Sequence, residues 1–178
     1  MTTFRADYAN PHPSDLDWAP GEPVTTEHKD AVASIVLNWS AIDVMLGVIL
    51  GGVYTIPPEH RGELLNGLGT MRKFQLVKKA YADDPDVETK NAVREFSWCM
   101  EKLKKERDII AHGALMFDRD GSGSFTSTKN FQSLPLASLP IALDNSRYCL
   151  EVIQYLVQHG LGREGVSLRA RPSKLAIA

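Results

Sequence analysis

Val32, Ile35, Trp39, Ile42, Leu46, Ile49 and Val53 recur at alternating steps of three and four residues. At 3.6 residues per turn, that spacing keeps them on one side of an α-helix. The stripe predicts a helix from about Thr25 to Val53, closed by Gly51-Gly52 and then Pro57-Pro58. A helix with so sustained an apolar stripe must bury it, so the rest of the chain has to supply matching elements.

The following segments do so. Pro57 or Pro58 can open a second helix carrying Leu64, Leu65, Leu68, Met71, Phe74 and Val77, although Gly62, Gly67 and Gly69 weaken it. "DDPD" at 83–86 is turn chemistry, and Pro85 with Asp86 suits a helix start. A third helix runs to His112, where Gly113 is expected to supply a left-handed cap. Leu115 and Phe117 alternate ahead of Asp-Gly-Ser-Gly, which predicts a β-hairpin. A last helix spans about Ser138 to His159, with Ile141, Tyr148, Val152, Tyr155 and Leu156 on its face and Gly160 as its stop. The expected class is all-α: a four-helix bundle with a small β-hairpin inserted before the last helix.

Residues 1–24 contain Pro11, Pro13, Pro20 and Pro23 without a period, which predicts an extended arm. Residues 25–160 form the expected bundle, and 161–178 read as a flexible basic tail. The 178 residues, 43% hydrophobic and 24% charged, suit one packed domain. A net charge of −2 argues against gripping nucleic acid with the whole surface, so such a role must rest on a local site. No apolar segment of a secretory signal opens the chain, and the longest uninterrupted apolar run, "VMLGVILGGVY", is short for a bilayer. Cys99 and Cys149 fit buried thiols in a reducing compartment at least as well as a disulfide. The expectation is a cytoplasmic protein with no membrane association.

Two charges break these patterns. The third helix has the stripe Val93, Phe96, Met100 and Leu103, then Arg107, then Ile110 and Ala114. Arg107 lies within roughly 60° of every other member, in a slot where a charge is expensive unless paired. Asp43 is the one charge in "IVLNWSAIDVMLGVILGGVY". A lone acid and a core-facing arginine on two long helices predict that they meet, directly or through water. His112 lies about 140° around from Arg107 at the final turn, and Asp108, four residues earlier, can face it. Histidine at a helix C-terminus also simply suits the dipole, and His159-Gly160 ends the last helix in the same way with Gln154 in place of an arginine. Trp98 and Ile109 lie opposite the core stripe, so a second cover is expected, with a second subunit favoured.

"RDIIAHG" at 107–113 resembles the R-x4–6-H motif of the HEPN superfamily, the higher eukaryote and prokaryote nucleotide-binding domains. "LNWSAIDVML" at 37–46 resembles the first-helix segment of its small bacterial members, with Asp43 at the acidic position. The resemblance covers roughly Glu27 to Gly160. It implies a helical bundle that forms a homodimer and brings two such motifs into one cleft. It also implies, for many members, metal-independent RNA cleavage in a toxin or defence setting, with no cofactor. The RNA's own 2′-OH attacks the adjacent phosphate and leaves a cyclic phosphate. Such chemistry asks for a proton donor and acceptor, which His112 can be, and for a cation on the phosphorane, which Arg107 can be. Asp108 or Asp43 would orient the pair. Asn is common after the Arg in active relatives, where this chain has Asp108, and the tyrosine that marks one branch shortly after the His is missing. The alternative is a non-catalytic HEPN-like module that binds a nucleotide or protein partner.

"DRDGSGSFTSTK" at 118–129 imitates a calcium loop, but Lys129 stands where a bidentate Glu belongs. The sequence has no H-x3-H, C-x2-C, P-loop or G-x-S-x-G motif, so no metal or nucleotide-loop chemistry is expected.

Overall fold

Thr25 opens the first helix. Its hydroxyl accepts the His28 amide at 3.2 Å while its own amide donates to His28 Nδ1 at 3.3 Å, a reciprocal cap. From there α1 runs Thr26–Val53. The structure, a computed structural model, describes residues 24–118 and 121–160; all but the last residue of the expected arm at 1–24, and the tail at 161–178, lie outside the described residues. Most of the stripe is buried: Ile35, Ile42 and Leu46 have no exposure and Trp39 and Ile49 little, while Val53 at the helix end is 40% exposed. Taken whole, α1 is long and apolar enough to cross a membrane, with a mean hydropathy of 1.9 over an 18-residue window. The uninterrupted run understated this, because Asn38, Ser40 and the single charge Asp43 break up an otherwise apolar helix. In this fold α1 gives one stripe to the core and leaves Leu37, Val44 and Val48 exposed.

The expected second helix is two helices, α2 (Pro58–Asn66) and α3 (Thr70–Ala80). Gly67 caps the first and Gly69 precedes the second, so the break falls where glycine lowers helix propensity. Leu65, Phe74 and Val77 are buried, whereas Leu64 faces outward. Phe74 meets Phe96 edge to face at 5.6 Å and ties α3 to the next helix.

That helix, α4 (Val87–His112), starts where Asp86 accepts the amides of Thr89 at 2.9 Å and Glu88 at 3.3 Å. Its end differs from the expected left-handed cap. Gly113 has φ −85° and opens β1 (Gly113–Phe117) directly. Glycine is needed there for close approach: a Cβ would lie 2.3 Å from the Ile109 carbonyl oxygen and 2.9 Å from that of Thr126. β1 pairs antiparallel with β2 (Gly123–Ser127), which pairs with β3 (Ser133–Pro135), giving the order β1-β2-β3. Leu115 stands opposite Phe125, and Phe125 opposite Leu134. The hairpin therefore gains a third strand. β2 also occupies the middle of the calcium-like segment, which supports the hairpin reading of that loop.

A 3₁₀ turn at Leu136–Ser138 leads into α5 (Leu139–Gly160). The described residues are thus mostly helical, with five helices and a small three-stranded antiparallel sheet among them rather than four helices and a hairpin. α5 packs along both α1 and α4, α3 packs on α1, and the sheet rests on α4. On the far side of α4, Ile109 is buried within its own chain and Trp98 is partly buried.

Candidate functional site

The C-terminal turns of α4 carry Arg107, Asp108 and His112. Arg107 is the charge expected in the core, and it is only partly there: its side chain is 24% exposed. The guanidinium lies over the Trp39 ring of α1, 4.5 Å from the centroid, a contact that contributes about 1 kcal/mol. Its Nη1 is 3.1 Å from Asp108 Oδ1, and Asp108 Oδ2 accepts Lys104 Nζ at 2.7 Å. Asp108 is therefore occupied by two cations and does not reach His112. His112 is exposed, with no hydrogen bond or ion pair among the described residues.

Asp43 does not pair with Arg107. Its Oδ2 takes Lys73 Nζ at 2.7 Å. The reason is packing: α3 lies along α1 and brings Lys73 to Asp43, while Arg107 meets α1 one turn earlier, at Trp39. Arg107 Nε and Asp43 Oδ1 are both buried and have no hydrogen-bond partner among the described residues. Of the four expected site residues, the fold thus joins Arg107 to Asp108, leaves His112 free on the same helix end, and assigns Asp43 to a different neighbour.

The charge that does occupy the core is Glu106, one residue away and without exposure. Asn145 Nδ2 on α5 donates to its Oε1 at 3.0 Å. Glu106 Oε2 and Asn145 Oδ1 have no hydrogen-bond partner among the described residues. Burial pushes the Glu106 carboxyl up to about 7, against the opposing pull of the Asn145 hydrogen bond and of Lys102. In its acid form the carboxyl no longer carries a buried charge. Sequence reasoning missed Glu106 because it is hidden in "KKERD", though Ala92, Cys99 and Glu106 fall seven apart on the inner flank of the stripe. Beside it Cys149 is a free, fully buried thiol, raised first by burial and then by Cys99 and Glu106. The two cysteines are unbonded thiols, and inert ones where burial raises them.

No family model, curated protein or solved structure matches this chain. The site must be read from its own chemistry. Among the described residues, no three His, Cys, Asp or Glu side chains gather as a metal set. What the helix end offers is a clamped guanidinium and, just over one turn on, an unengaged imidazole. A guanidinium can neutralise a phosphate in bidentate fashion, and an imidazole exchanges protons near neutral pH.

Proposed function

We propose that the protein is a HEPN-like, metal-independent endoribonuclease that acts as a homodimer. The observation that carries the reading is the contrast within one helix end: Arg107 is fixed by Trp39 and Asp108, while His112 is exposed and unengaged. Rigid positioning suits a group that must meet phosphorane charge, and freedom suits one that must hand over a proton. The 2′-oxygen attacks phosphorus, and the bond from phosphorus to the 5′-oxygen breaks. A neutral His112 takes the 2′-OH proton, and a protonated imidazole returns one to the leaving oxygen. The second motif comes from the other copy, across an interface that includes Leu115 and Met116, exposed on the strand that follows His112.

One observation favours the alternative, a non-catalytic HEPN-like module that binds a nucleotide or protein partner. Asp108 sits against Arg107 and presents a carboxylate where a phosphate must arrive. RNA incubated in EDTA with the wild type, His112→Ala and Arg107→Ala separates the two readings. The RNase reading expects cleavage by the wild type and a loss of about 100-fold or more in each variant. Equal cleavage by all three, or none by the wild type, removes it.

A further inference from the structure

Away from this helix end, α1, α2 and α3 enclose a cleft of about 210 Å³. Its walls are apolar where Val44, Val48 and Leu65 line it, and polar where Arg61, Asn66 and the Lys73–Asp43 pair line it. Val44 is 65% exposed and Val48 47%, so the apolar wall stands uncovered on a helix that buries Ile35, Ile42 and Leu46 of its other stripe.

Arg61 is held in place. Its Nε donates to the Ile56 carbonyl at 3.0 Å. Its side chain lies on the α1 backbone at Gly51, where a Cβ would come within 2.7 Å of Nε and 3.1 Å of Cζ. Gly51 thus provides the bed for the guanidinium. Among the described residues Arg61 has no carboxylate partner, which leaves its two terminal nitrogens for an outside acceptor. Lys73, only 4% exposed, is neutralised by Asp43 at 2.7 Å. The uncompensated charge in the cleft is therefore the arginine fork. A fixed fork beside an apolar wall is the arrangement that binds a carboxylate or phosphate in bidentate fashion while desolvating the body that carries it.

We infer that this cleft binds a small oxyanion borne on an apolar body, of the class of aryl carboxylates or aryl phosphate monoesters. Arg61 takes the anion, Asn66 offers a side-chain donor, and Val44, Val48 and Leu65 take the body. The inference is independent of the RNase reading, since it uses none of Arg107, Asp108 or His112.

Titration calorimetry of the full chain with benzoate and with phenyl phosphate tests it and tells carboxylate from phosphate. Saturable binding of at least one probe is expected, weakened about tenfold or more by Arg61→Gln. Gly51→Ala is the sharper variant, because it keeps every charge and displaces the fork; it should weaken binding comparably. Arg72→Gln removes the same charge from an exposed position on α3 and should leave affinity unchanged. Circular dichroism checks each fold, and Arg61→Lys, which keeps the charge without the fork, replaces Gly51→Ala if that variant unfolds. Failure of both probes to bind the wild type overturns the proposal. So does equal weakening by Arg72→Gln and Arg61→Gln, which would mean diffuse attraction rather than a built site, or wild-type affinity in the variant that displaces the fork.

Discussion

Asp43 on α1 and Glu106 on α4 both sit on long helices of this fold, and they meet the cost of burial differently. Asp43 has a cation, Lys73 at 2.7 Å, and a side chain still 31% exposed. Glu106 has no exposure and no ion pair among the described residues, only the amide of Asn145 at 3.0 Å. Asp43 has a buried cation for a partner, whereas Glu106 approaches neutrality by holding its proton. The first arrangement is sensitive to loss of its partner, the second to pH.

The largest expected effect comes from breaking the ion pair. Asp43→Ala leaves Lys73 charged and buried, and should cost about 3–5 kcal/mol in urea unfolding at neutral pH. Adding Lys73→Met should recover most of that loss; a double variant no more stable than the single one would show that the pair is not what matters there.

Next is the pH dependence. The folded-state value of Glu106, about 7, lies above its ordinary 4.5, so the folded protein holds a proton that the unfolded chain releases. Stability from this group is complete below about pH 4.5, falls as pH rises through about 7, and levels off above. The difference amounts to about 3 kcal/mol. Glu106→Gln should flatten that part of the profile and be more stable than the wild type above pH 8. An unchanged slope would mean that Glu106 is ionised throughout.

A smaller effect is expected at Asn145. Asn145→Ala removes the hydrogen bond that favours the ionised form, costs about 2 kcal/mol, and moves the Glu106 titration further up. Carboxyl NMR titration reads the direction, and a downward move would contradict it. The smallest belongs to the more exposed Lys104–Asp108–Arg107 chain: Asp108→Asn should change stability by less than about 1 kcal/mol.

Much of the scaffold was legible in the sequence. The stripe of α1, the Asp86 cap and the end of α4 at His112 follow from periodicity and cap chemistry, which are local. The partners of the charges were not legible. Periodicity gives the angle of Arg107 on its own helix, but the neighbour it meets depends on how α1 and α4 cross, and Trp39 sits at that crossing. Asp43 went to Lys73 because α3, split from α2 at Gly67–Gly69, lies along α1. Glu106 was missed because a charge among charges looks like a solvated face until α5 is laid over it.

The central claim, that Arg107 and His112 carry out 2′-OH chemistry, is tested most directly by a matched pair of oligonucleotides. One is all ribose, and the other has a 2′-deoxy sugar at each cleavage position. In EDTA, the account predicts that the wild type cuts the first to 2′,3′-cyclic phosphate ends and leaves the second intact, while His112→Ala cuts neither. Cleavage of the deoxy-substituted strand, wild-type rates in His112→Ala, or an uncut ribose strand would contradict it.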